Sequence, residues 1–174
     1  MTATPPQNPV GPFTPVDEYD ESLKTALIEE FREAPSRLRE AVSSLTASQL
    51  DTRYRNWTIR QIVHHVADSH VHSYIRFKWA LTESSPTIKA YEEADWVLLA
   101  DAQQGDIEPS LLLLDGLHAK FVQLLQSMTL EQYDRTFVHP QTGETVRLWT
   151  ALNYYPWHAR HHTGQILWLC STKA

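Results

Sequence analysis

The chain has 174 residues, 42% of them hydrophobic with 6 tryptophans and 7 tyrosines, enough for one domain with a single sizeable core and cramped for two. Its 15 basic and 21 acidic residues give a net charge of -6 with no long basic run, which argues against a nucleic-acid partner and for a small-molecule substrate. The lone cysteine, Cys170, cannot form an intramolecular disulfide, no apolar run approaches the roughly 20 residues that span a bilayer, and the N-terminus lacks a signal-peptide pattern; the expectation is a cytoplasmic protein without a membrane partner.

Residues 1–17 read as an extended arm, because Pro5, Pro6, Pro9, Pro12 and Pro15 disfavour helix and sheet. From residue 18 to residue 174 the pattern is that of one helical domain. Leu23, Leu27, Phe31, Leu38, Val42 and Leu45 recur at helical spacing, with Pro35 expected to kink or restart this first helix. Thr46-Ala-Ser-Gln49 fits a capping box, in which the Thr and Gln side chains satisfy free backbone amides. Thr58-Ile-Arg-Gln61 repeats that form and starts a second helix, reaching to about Leu81. Residues 82–108 are mixed, with a short helix expected around Tyr91 to Leu99.

A third helix starts near Pro109, with Leu114, Leu117, Phe121, Leu124 and Met128 on its buried face. Thr129-Leu-Glu-Gln132 ends it. The segment Leu45–Asp51 matches Met128–Asp134 in pattern, so the chain reads as two similar halves, each a long helix, a capping-box turn, a loop and a histidine-rich helix. Residues 136–147 alternate and turn like a small hairpin, and the fourth helix begins near Thr150. The predicted fold is all-α: a four-helix bundle with a small β-hairpin before the last helix.

Of nine histidines, seven fall into two clusters half a chain apart. His158 and His162 are four residues apart on an apolar helix face, so both imidazoles can reach one ion. In the first cluster, periodicity places His65 and, one turn later, Ser69 or His70 near the buried face without deciding between them. His64 is rotated by about 100° from His65. With Asp68 and Arg160 it is a candidate for supporting the ligands from behind. Ala159 stands where a zinc-protease His-Glu-x-x-His motif has glutamate, and the carboxylate pairs of di-iron bundles are missing. One ion, three imidazoles and open coordination positions remain.

The stretches Trp57-Thr-Ile-Arg-Gln-Ile-Val-His-His-Val-Ala-Asp-Ser-His70, Ser73-Tyr-Ile-Arg-Phe-Lys78, Leu81-Thr-Glu83, Pro86-Thr-Ile88 and Trp157-His-Ala-Arg-His-His162 resemble the YfiT-type metal-dependent hydrolases of the DinB superfamily. Pro9-Val-Gly11 and Phe137-Val-His-Pro140 extend the resemblance along nearly the whole chain. It implies a helical-bundle homodimer that binds one zinc or nickel ion per subunit through His65, His158 and His162. It also implies kinship with bacillithiol- and mycothiol-dependent thiol S-transferases. Three readings follow: hydrolysis by a water activated on the ion; transfer of a low-molecular-weight thiol activated as thiolate; or a structural metal in a binding module. Three ligands favour the first two, because structural zinc sites are usually closed by four.

Overall fold

The computed structural model describes residues 4–173. Four long helices, α1 (Glu21–Val42), α3 (Ile59–Thr82), α6 (Glu108–Ser127) and α8 (Leu148–Lys173), form a bundle. Each half of the chain adds a one-turn helix and a two-stranded antiparallel ribbon between its long helices. These are α2 (Ala47–Leu50) with β1 (Arg53–Tyr54) and β2 (Trp57–Thr58), then α7 (Leu130–Tyr133) with β3 (Thr136–Val138) and β4 (Thr145–Arg147). Two short helices, α4 (Glu93–Trp96) and α5 (Ala100–Gln104), precede α6.

The start signals act as their chemistry requires. Thr46 and Gln49, Thr58 and Gln61, and Thr129 and Gln132 form capping boxes on α2, α3 and α7, and the Asp20 carboxylate accepts from the Leu23 amide at the head of α1. The equivalent boxes Thr46–Gln49 and Thr129–Gln132 stand at the same place in the two halves, where the short internal match predicted them.

α1 packs on α8 and α6, and α3 packs on the same two helices, so α1 and α3 face each other diagonally. Two apolar clusters fill the interior. One holds Phe31, Phe77, Phe121 and Leu152; the other holds Leu38, Val66, Leu114 and Ile166. Along α1 and α8 the chain passes from the first cluster to the second, along α3 and α6 from the second to the first. The neighbours α1 and α8 therefore run parallel, as do α3 and α6. Near the junction of the clusters each helix contributes something other than an aliphatic side chain: Pro35 from α1, His65 and His70 from α3, His118 from α6, and His158 and His162 from α8. The bundle thus carries a buried polar layer across its middle.

Three expectations need correction. Pro35 does not restart α1, which runs unbroken for 22 residues with Pro35 buried; packing on α6 and α8 holds the helix despite the missing amide bond. The segment before α3 is a hairpin, not a loop, with Tyr54 paired to Trp57 and Arg55 in the left-handed region at φ 52°. The buried face of α6 runs through Leu111, Leu114, His118, Phe121, Val122 and Leu125, with Leu117 and Leu124 only half-buried, because α1 and α3 flank it on two sides. The hairpin before α8 is where expected, Phe137 opposite Val146, although α8 starts two residues earlier than the pattern placed it.

Candidate metal centre

α3 is buried almost throughout its first half, and its buried histidines are divided between α6 and α8. His65 points at α8, where His158 and His162 stand one turn apart. His65 Nε2 and His158 Nε2 lie 3.3 Å from each other. One ring nitrogen from each of the three histidines falls within 4.8 Å of the others, a set that can hold a metal ion. Two nitrogens sharing a tetrahedral ion at about 2.1 Å are themselves about 3.4 Å apart, so the spacing of the first pair fits. All three side chains are buried.

Burial also sets their protonation. Desolvation, with a smaller contribution from the charge of His161, pushes His65 down to about 4; desolvation first and neighbouring imidazoles second hold His158 and His162 well below the ordinary histidine value. A neutral imidazole is the form that ligates. His162 Nδ1–H donates to the Gln165 side-chain oxygen at 2.9 Å, and the Gln165 amide donates to His161 Nε2 at 2.9 Å. An amide oxygen only accepts, so His162 carries its proton on Nδ1 and leaves Nε2 bare. Partners of this kind fix the tautomer of ligating histidines. The Trp57 ring covers the group, 4.6 Å from the His65 ring and 6.4 Å from that of His162.

Comparison with known proteins identifies the family. The family model of the DinB superfamily matches residues 30–166. The chain belongs to the DinB superfamily. Relatives of this DinB-superfamily chain in Bacillus cereus strain B4264 and in Bacillus thuringiensis subsp. konkukian, each named "putative metal-dependent hydrolase", are 48% identical over 160 residues and matched over 91% of both chains. The solved structure of YfiT from Bacillus subtilis, described as "a probable metal-dependent hydrolase with an unusual four-helix bundle topology", superposes with a TM-score of 0.92 at 43% identity, covering 94% of this chain and 95% of that one. The predicted bundle and the YfiT-type assignment are thereby established.

The residues expected behind the ligands lie elsewhere. His64 faces α6, its Nδ1 2.8 Å from the Ser110 hydroxyl. Asp68 faces α5; desolvation and then the charge of Asp101 push its carboxyl up to about 6. Arg160 is exposed and pairs with Glu30 on α1. The structure brings none of the three into hydrogen-bonding contact with His65, His158 or His162. The residues that do support the cluster are Gln165 and His70, with His118 behind His70. Gln165 was legible as the residue three positions after His162 on one helix. His118 betrays itself only by sitting on an apolar face between Leu114 and Phe121.

A cavity of about 390 Å³ opens beside His158 and is also lined by Ser69, Arg76, Tyr91, His139 and Tyr154. Tyr155 hydroxyl accepts from the Arg76 guanidinium at 3.2 Å. A larger cavity of about 560 Å³, between α1 and the outer side of α8, reaches none of the three clustered histidines. Among the described residues no helix is long and apolar enough to cross a membrane.

Proposed function

We propose that His65, His158 and His162 hold one divalent ion, zinc or nickel, and that the chain is a hydrolase acting on a small molecule bound in the cavity beside His158. The observation that carries this reading is the convergence of three buried, neutral imidazoles, on two helices, with no carboxylate or thiolate among them. When bound, such an ion keeps its full double charge, acts as a Lewis acid and lowers the pKa of a coordinated water to about 7.

The chain's own residues do the remaining work. Gln165 holds the His162 ring in the orientation that presents Nε2, and Trp57 excludes solvent from one side. Arg76, held by the Tyr155 hydroxyl, is the arginine or lysine in the lining of the cavity and orients polar groups of the substrate there. The names of the relatives support hydrolysis. The homodimer and the cytoplasmic location form part of the same proposal, and sedimentation of the purified chain tests the first.

The experiment is a metal analysis followed by assays of ester, amide and lactam panels with and without chelator, free thiol being followed in parallel. Chelator-sensitive hydrolysis is expected, restored by zinc or nickel. Metal-dependent consumption of thiol without hydrolysis would replace this reading with thiol transfer.

A further inference from the structure

His158 has a second ring nitrogen, and it begins a chain of contacts running away from the cluster into the core. His158 Nδ1 lies 3.4 Å from His70 Nε2, His70 Nδ1 lies 2.8 Å from His118 Nε2, and His118 Nδ1 lies 2.7 Å from the backbone oxygen of Phe31. The last acceptor fixes every proton before it. A carbonyl can only accept, so His118 donates from Nδ1 and offers a lone pair at Nε2. His70 must then donate from Nδ1 and accept at Nε2. His158 in turn donates from Nδ1, which leaves its Nε2 bare and aimed at His65.

The rings in this chain are neutral. His70 has no exposed surface and His118 is 2% exposed. Desolvation lowers both, His118 to about 4. The Phe31 ring stacks on His118 at 3.9 Å and 9° and lies nearly parallel to His70 at 5.5 Å, which keeps the imidazoles in one orientation.

The Phe31 carbonyl is available for a specific reason. In a continuous α-helix the amide of residue 35 bonds the carbonyl of residue 31. Residue 35 is proline, which has no N–H, and α1 continues past it without interruption. A buried helix-interior proline, otherwise unfavourable, thus exposes one backbone acceptor at the level of the polar layer, and His118 uses it.

We propose that Pro35, the Phe31 carbonyl, His118 and His70 form a positioning relay that holds His158 as the Nδ1–H tautomer, with Nε2 presented to the metal site. The inference rests on the three-histidine ligand reading, and none of its members except His158 touches the ion. Its consequence is that residues on α1 and α6, which contribute no ligand, tune metal affinity.

The test combines imidazole ¹⁵N spectra of the metal-free full chain with zinc titration against a competing chelator. In the wild type, His158 is expected to carry its proton on Nδ1; a proton on Nε2 would overturn the relay. His118→Leu strands the His70 donor and is expected to weaken zinc binding roughly 10- to 100-fold. His118→Gln, which can donate to Phe31 through its amide and accept from His70 through its oxygen, should restore most of that loss. Pro35→Ala returns an amide to α1 that competes for the Phe31 carbonyl, so zinc affinity should fall severalfold while the metal-free fold is no less stable, a divergence that a merely structural role would not produce.

Unchanged zinc affinity in folded His118→Leu would defeat the proposal. Should that variant not fold, Pro35→Ala and the wild-type spectrum decide the matter. A wild type with the expected tautomer that nonetheless binds no zinc or nickel would defeat the ligand reading and leave the relay standing.

Discussion

α3 and α8 both carry histidine clusters into the same buried layer, yet they deliver them differently. On α8 the two converging histidines stand one turn apart, and one of them is steadied from its own helix by Gln165. On α3 three histidines are buried, and each has its own set of partners: His64 meets Ser110 on α6, His65 meets His158 on α8, and His70 lies between His118 on α6 and His158. A helix with neighbours on most sides has no single buried face, so what lies across from each residue assigns its role. α8 carries two of the three proposed ligands, and α3 joins that cluster to the rest of the bundle.

The widest break in this comparison is removal of a proposed ligand from either side. His65→Ala on α3 and His158→Ala on α8 should each abolish stoichiometric zinc or nickel binding, measured by metal analysis after gel filtration. Equal loss means one centre shared between the helices. Full metal content in His65→Ala would show instead that the α8 pair binds alone. Next in size, Gln165→Leu removes only the steadying contact within α8; roughly 10-fold weaker metal binding is expected, with a change in metal-free stability of about 1 kcal/mol.

The contrast between the helices explains what the sequence made legible. The pair His158 and His162 follows from spacing alone because both ends lie on one helix. His65 could not be chosen over His70 by period, because the choice depends on what lies across from each in space; family resemblance supplied it. Pro35 looked like a defect in the first helix, and its freed carbonyl gains meaning only with His118 lying opposite on α6. The β1–β2 ribbon was invisible because two-residue strands are too short to show alternation. The half-repeat was readable from one seven-residue match because capping boxes demand particular side chains at particular offsets.

Acid should separate the buried His118 from the half-buried Asp68. His118 titrates near 4 when folded against about 6.5 when unfolded, so between these values the unfolded chain binds the extra proton. Its contribution to stability is complete above about pH 6.5 and is lost as pH falls toward 4, amounting to at most about 3 kcal/mol. Asp68 on the α5 side of α3 behaves oppositely. Its folded carboxyl titrates near 6, above its unfolded value of 3.8, so it costs stability progressively as pH rises through that window. Urea midpoints of the metal-free protein should therefore fall on acidification below pH 6.5, less steeply in His118→Gln, and Asp68→Asn should be stabilising at pH 7. A midpoint that rises on acidification would contradict the neutral polar layer.

The smallest effect concerns the outer side of α8, where the N-terminal arm lies. Trp157 Nε1 donates to the Gly11 carbonyl at 3.2 Å, the Tyr54 hydroxyl donates to the Pro6 carbonyl, and Phe13 lies against Tyr154 and Trp157. Gly164, two residues past His162, lies under this arm: a Cβ there would stand 2.8 Å from Val10 Cγ1 and 3.4 Å from Pro9 Cγ. Gly164→Ala gains up to about 1 kcal/mol of helix propensity and meets a packing penalty of about 1–3 kcal/mol if the arm stays in place. Lifting residues 9–13 relieves that penalty without shifting α8, whose inner face is buried in the bundle, and is the expected response. Global stability should then change by less than about 1 kcal/mol, zinc affinity should hold, and proteolysis within residues 9–13 should accelerate. Weakened zinc binding in Gly164→Ala would mean that the arm, as well as the helices beneath it, sets the positions of His158 and His162.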